Sequence, residues 1–158
     1  MEIMRISEPT GKTARRNSPA AVFSRLSSGG MKLASSLGFI KLVLKGRELY
    51  RHRDQLIAVE AGQMLLVRPD MELRCDAARP TQGLCLYVDA DRSRALSAPY
   101  VRTRAPIAYM QTARNLFDRA DRNQLSGRTC HEELDVLQGQ GVAVAREMSG
   151  HFLRLGLE

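Results

Sequence analysis

The sequence predicts an α+β chain in which a small antiparallel β-barrel is followed by two or three carboxyl-terminal helices. Two observations carry this expectation. Between residues 38 and 90, short apolar runs alternate with Gly, Pro and charged turns, as a stack of short antiparallel strands requires. The runs are Gly38-Phe-Ile-Lys-Leu-Val-Leu-Lys-Gly46, Val59-Glu-Ala-Gly62-Gln-Met-Leu-Leu-Val67-Arg-Pro69-Asp and Gly83-Leu-Cys-Leu-Tyr-Val-Asp89. From residue 91 the composition shifts to Ala, Arg, Leu, Gln and Glu, and the alternation disappears. A chain of 158 residues suffices for one domain with a single core.

Residues 1–19 are polar, with prolines at Pro9 and Pro19, and read as a flexible lead-in. The barrel is expected over 20–90. Ala21 to Leu26 forms its first strand and Ser27-Ser-Gly-Gly30 a turn. In Phe39 to Leu44, Ile40, Leu42 and Leu44 share one face and the lysines the other. Further strands are expected at Glu48–Arg53, Leu56–Val59, Gln63–Val67, Met71–Cys75 and Leu84–Asp89, spaced by turn signals as in a barrel or sandwich. The region 91–158 is then helical. Pro106 suits a first helical turn, with Met110, Ala113, Phe117 and Ala120 at helical spacing. Ser126-Gly-Arg marks a break, and Thr129 with Glu132 fits a capping box. A second helix places Leu134, Leu137, Gly141, Val144, Met148 and Leu155 near one seam, with Gly139 and Gly141 as points where it can kink or stop.

The 24 Lys+Arg against 17 Asp+Glu give a net charge of +7. Six basic and two acidic residues fall in 1–35, eight and seven in 36–90, and ten and eight in 91–158, so the excess sits mostly in the amino-terminal tail. No long Lys/Arg block, RNA-binding aromatic signature or zinc-finger spacing accompanies it, and a solvated surface with a basic tail is the expectation. Cys75, Cys85 and Cys130 form no Cys-x-x-Cys pair. Strand parity groups Met71, Leu73 and Cys75 on one face and Leu84, Leu86 and Val88 on another, so Cys75 is expected inside, Cys85 outside, and all three thiols free. No apolar run is long enough to span a bilayer, and Met-Glu-Ile-Met-Arg leads into polar residues rather than a signal-peptide core; a soluble, cytoplasmic protein is expected.

Catalytic motifs fail on inspection. His52 and Asp54 share a strand face, but a lone His-x-Asp fills too few coordination positions, and a surface strand of alternating charges explains it. His52-Arg-Asp54 lacks the other kinase signatures. Gly11-Lys-Thr13 lacks the upstream glycine and strand of a phosphate-binding loop. Cys130 and His131 would point about 100° apart on a helix. Ser27 and Ser28 precede Gly-Gly without the nucleophile-elbow frame. No catalytic residue is assigned.

The spacing of the three apolar segments resembles the small β-barrel called a cupin. The order Leu44-Lys-Gly46, Ala61-Gly-Gln-Met-Leu-Leu-Val-Arg-Pro69 and Leu84-Cys-Leu-Tyr-Val88 is similar to the amino-terminal sensor and dimerisation domain of AraC-type bacterial transcription regulators. The resemblance covers roughly half the chain. Metal-binding cupins carry His-x-His and Glu in a first motif and His in a second; here Phe23 to Gly38 has no histidine and the second-motif position falls at about Leu73, so neither metal nor cofactor is expected. The resemblance implies a barrel that binds a small effector or merely serves as a scaffold, helices that pair two subunits, and DNA contact only through a carboxyl-terminal domain absent from this chain. A small-molecule effector or a regulatory protein is the expected partner, and the chain is expected to be a sensor fragment of a longer regulator, the alternative being a stand-alone relative without the DNA-binding half. Pocket candidates are Ile40, Leu42, Leu44, Tyr50, His52, Leu66, Leu73, Leu84 and Leu86, which would equally form a filled core. Leu134, Leu137, Val144, Met148 and Leu155 are the candidate homodimer interface, their alternative being packing within the domain. A metal-independent cupin isomerase or epimerase remains as an alternative. It would need Tyr50 and His52 to face the interior together.

Overall fold

A computed structural model of the chain describes residues 2–6, 13–16, 19–27, 29–93, 100–125 and 127–155, with backbone alone at 2, 6, 13–16, 35, 90, 93 and 149–155. Strands β1 (Glu2–Ile6), β2 (Thr13–Arg16), β3 (Ala20–Leu26), β4 (Gly29–Ser35), β5 (Phe39–Lys45), β6 (Arg47–His52), β7 (Gln55–Glu60), β8 (Gln63–Val67), β9 (Glu72–Ala77) and β10 (Thr81–Tyr87) come first. Helix α1 (Ala90–Ser93), strand β11 (Tyr100–Arg104) and helices α2 (Ile107–Asp121) and α3 (Arg128–Leu155) follow.

The strands form two layers, sheet A in the order β1-β3-β10-β5-β8-β11 and sheet B in the order β2-β4-β9-β6-β7. The antiparallel architecture followed by helices is as expected, but the sheets stay open as a sandwich and do not close into a barrel. Burial explains the two sequence textures. Strands β6, β7 and β9 of sheet B alternate buried and exposed positions because one face meets water. In sheet A, Phe39 to Leu44 of β5 and Met64 to Val67 of β8 are buried without interruption, the pattern of strands covered on both faces.

Each face of sheet A therefore has its own core. Towards sheet B, Phe39, Val43, Leu65 and Tyr87 meet Leu33, Tyr50, Ile57 and Leu73. On the opposite face, Ile40, Leu42, Leu66, Leu84 and Leu86 meet Tyr109, Met110, Leu116, Phe117, Leu134 and Leu137 from α2 and α3. The Arg5 guanidinium donates to the Ala120 carbonyl at 2.7 Å, placing a cation on the carboxyl end of α2. Helix α3 is held by the Tyr109 hydroxyl, which donates to Leu137 O at 2.9 Å, and by Gln138 Nε2, which donates to Tyr87 O at 3.1 Å. It lies so close to the sheet that a Cβ on Gly141 would stand 2.6 Å from Ile40 Cδ1 and 2.7 Å from the Tyr109 hydroxyl.

Several expectations change. The lead-in over 1–19 contributes β1 and β2, which pair in parallel with β3 and β4. Gly29 and Gly30, read as a turn, begin β4, and β11 adds a strand to sheet A beyond residue 90. Thr129 lies inside α3, which starts at Arg128, so it is not the cap; Ser126 lies outside the described residues. Helix α3 runs through Gly139 and Gly141 without a break, because the missing Cβ at Gly141 permits the close approach. Leu134 and Leu137 are completely buried in their own domain and cannot be a surface seam. Val144 and Met148 are partly buried against the same core, and the Leu155 side chain lies outside the described residues.

Candidate functional site

Lys41 interrupts an otherwise apolar strand, and parity aims it at sheet B alongside Phe39 and Val43. It lies on the face opposite Ile40, Leu42 and Leu44, as the alternation suggested, and is only 5% exposed because that face is the interior of the sandwich. Space for it comes from Gly83 on the neighbouring strand β10, where a Cβ would stand 2.7 Å from the Lys41 Nζ. From β6, Glu48 and Tyr50 enter the same interior, both completely buried.

These side chains form a hydrogen-bonded cluster. Lys41 Nζ lies 3.4 Å from Glu48 Oε2 and donates to Ser24 Oγ at 3.1 Å. The Tyr50 hydroxyl donates to Glu48 Oε2 at 2.6 Å, and Thr81 Oγ1 donates to Oε1 at 3.1 Å. Both carboxylate oxygens are thus satisfied, which a buried charge requires. The Cys75 thiol lies 3.9 Å from Glu48 Oε2. Beside the cluster is a void of about 30 Å³ bordered by Lys41, Tyr50, Cys75, Cys85 and Tyr87. That is room on the scale of one or two waters.

Electrostatics fix the protonation states. Burial by itself would pull the Lys41 pKa down, but the charge of Glu48 and the flanking Cys85 and Cys75 hold it above the ordinary lysine value. Burial, reinforced by Cys75 and Glu48, pushes the Tyr50 phenol well up, and burial together with Glu48 pushes the Cys75 thiol to about 12. At neutral pH the cluster therefore presents an ammonium and protonated donors.

The structure separates the sequence-derived pocket residues. Ile40, Leu42, Leu44, Leu66, Leu84 and Leu86 face α2 and α3 as filled core, because the helices cover that side of sheet A. Leu73 and Tyr50 face the sandwich, and Tyr50 alone of the candidates borders the void. His52 sits half-buried at the end of β6 with Nδ1 3.2 Å from Glu72 O. It does not border the void, so the Tyr50–His52 pair needed by the isomerase alternative is not assembled there. Cys85, expected outside, is 5% exposed within the sandwich; its face is apolar because sheet B covers it. Glu48, Ser24 and Thr81 were not singled out from sequence. The one available signal was a lysine inside a run apolar at both parities, since such a strand has no solvent face to offer it.

Among the described residues, no three His, Cys, Asp or Glu side chains gather as a metal site, and no helix is long and apolar enough to cross a membrane.

This arrangement, a cupin-like sandwich with helices packed on one outer face, is a fold shared with regulatory proteins of the AraC type. The likeness is to ToxT of Vibrio cholerae. The ligand-free form of a ToxT variant superposes over 84% of this chain and 58% of its own length, with a TM-score of 0.59 at 7% identity. Wild-type ToxT with a bound unsaturated fatty acid superposes over 78% of this chain and 52% of its own, with a TM-score of 0.53 at 9% identity. A cupin-2 domain containing protein from Shewanella frigidimarina overlaps 44% of this chain and 69% of its own, with a TM-score of 0.40 at 17% identity. The chain spans about half the length of the ToxT structures it matches. No family model and no curated protein sequence matches it.

Proposed function

We propose that this chain is the effector-sensing and dimerising domain of an AraC-type transcription regulator, with DNA recognition supplied by a separate domain. The observation that carries the reading is the buried Lys41–Glu48 pair beside a void inside the sandwich. An enclosed cation satisfied by a carboxylate from its own chain is a site where an external carboxylate can substitute. The effector fitting it is an amphiphile with an anionic head and an apolar tail, because every wall beyond the polar cluster is apolar. The unsaturated fatty acid bound to the ToxT structure of the same fold supports this class of ligand. Entry requires the two sheets to part, since the void is far smaller than such a molecule. Ile40 and Leu42, which flank Lys41 on β5, pack in the helix-facing core, so displacement of this strand reaches α3. Dimerisation would use the part of α3 that the core leaves uncovered, around the exposed Val136 and the partly buried Val144 and Met148.

Titration with oleate tests the reading. Saturable binding is expected, weakened by about tenfold or more in a Lys41→Met/Glu48→Leu double variant, which removes the charge-assisted contacts. Absence of saturable binding, or undiminished binding by the double variant, eliminates the interior site.

A further inference from the structure

The outward face of sheet B carries a row of cations set by strand register. Lys32 of β4 stands opposite Arg74 of β9, and Arg74 stands opposite Arg51 of β6. All three are exposed, on adjacent strands roughly 4.8 Å apart, so three positive side chains lie abreast within roughly 10 Å. Like charges directly opposed across strands destabilise a sheet. Arg53 at the β6–β7 turn lies two residues on from Arg51, beside the row on the Glu72 side, and a groove of about 500 Å³ is lined by these residues. Four cations line this groove against one carboxylate, Glu72.

The nearby carboxylates only partly compensate. Glu72 lies 2.6 Å from Lys32 and Asp76 lies 3.5 Å from Arg74, both in exposed pairs that contribute little. Arg51 and Arg53 have no carboxylate partner among the described residues. The like-charge row is thus a cost that the fold relieves only in part. Its compactness distinguishes among anions. Glu72 and Asp76 flank Arg74 along β9, one register step to either side of the row, so the cations form a short strip bounded by carboxylates along which a short chain of linked phosphates can lie.

We propose that this groove binds a compact polyphosphate, the recognised group being two or three linked phosphates carried either by a nucleotide or by inorganic polyphosphate. Arg51 and Arg74 supply planar donors for bidentate phosphate contacts and Lys32 a point charge. The site lies on the side of sheet B away from the Lys41–Glu48 cluster and is independent of the function proposed above.

Calorimetric titration with inorganic tripolyphosphate, ATP and AMP at low salt, using the whole chain and an Arg51→Ser/Arg74→Ser variant, tests it. Tripolyphosphate and ATP are expected to bind saturably, AMP about tenfold or more weakly, and the variant to lose about tenfold or more for both polyphosphates. Equal affinity for ATP and tripolyphosphate would identify the phosphate chain as the whole ligand, while tighter ATP binding would add the nucleoside; both support the site. The variant should melt no lower than the wild type, since it relieves repulsion. Failure of both polyphosphates to bind, unchanged binding by the variant, a lower melting temperature, or random duplex DNA outcompeting tripolyphosphate at equal phosphate concentration would each overturn it.

Discussion

The two faces of sheet A are built from neighbouring residues of the same strands, yet they are different materials. On the helix side, Ile40, Leu42, Met64, Leu66, Leu84 and Leu86 meet apolar side chains of α2 and α3, and the Tyr109 hydroxyl donates to Leu137 O. On the sandwich side, Phe39, Val43 and Leu65 share the interior with an ion pair and its hydroxyl partners. Apolar residues of similar volume could replace a buried ion pair without loss of stability, and often with a gain. The helix-facing core is therefore accounted for by folding alone. The sandwich interior retains chemistry that folding does not require, and this difference directs the functional reading to Lys41 rather than to the leucines beside it.

The largest effect should separate the faces. Glu48→Leu leaves the Lys41 ammonium buried without its carboxylate and is expected to cost about 3 to 5 kcal/mol in urea unfolding. Lys41→Met combined with Glu48→Leu should restore most of that loss. On the helix side, Leu42→Ala should cost about 2 to 5 kcal/mol with no second substitution of comparable rescuing power, because a cavity is left and not an unpaired charge. If the double variant is as unstable as Glu48→Leu, the pair is a structural element and the comparison fails.

Alkaline titration gives the next effect. Cys75, Tyr50 and Lys41 all have raised folded pKa values against ordinary values of 9.0, 10.0 and 10.5, so above pH 9 the native state binds more protons than the unfolded chain. Stability should be fully present below about pH 9 and fall as pH rises from 9 towards 12, by about 1.4 kcal/mol per pH unit for each such group. Removing Lys41 and Glu48 together should flatten this fall above pH 10.5 relative to the wild type, as read from chemical denaturation at fixed pH values.

The smallest effect concerns two glycines in one helix. A Cβ at Gly139 would meet only Arg92 Nη2 at 3.7 Å, so Gly139→Ala should stabilise by up to about 1 kcal/mol through helix propensity. Gly141→Ala should lose that gain or reverse it, since Ile40 and Tyr109 must shift. Equal melting temperatures for the two variants would show that α3 is not held tightly to sheet A.

The periodicity of the sequence located most strands and α2, because apolar runs between turn residues constrain both. What it could not decide was which face of a doubly covered strand looks at the sandwich. Ile40 and Phe39 are equally apolar, and only the tertiary position of α2 and α3 assigns one to each core. The same ambiguity misplaced Cys85. Strands β1, β2 and β4 were missed because Glu2–Ile6, Thr13–Arg16 and Gly29–Ser35 carry little alternation and gain their pairing from partners distant in sequence. Glu48 was invisible for a related reason: a glutamate beside charged residues is ordinary until Thr81 and Tyr50 are brought to its oxygens.

An open two-layer sheet exposes margins at which a strand of another molecule can add, and such addition is how cross-β growth begins. Strands β7 and β11 form one margin of each layer, with Leu56 of β7 exposed there. The Arg102 guanidinium reaches from β11 to the Ala58 carbonyl at 3.0 Å, and the Tyr100 hydroxyl donates to Gln55 Oε1 at 2.9 Å. These two side chains stitch one layer to the other and place a charge along the seam. An incoming strand would have to break the stitch and displace the guanidinium before it could pair, which makes Arg102 a guard against self-templated stacking at the margin where an exposed leucine would otherwise invite it.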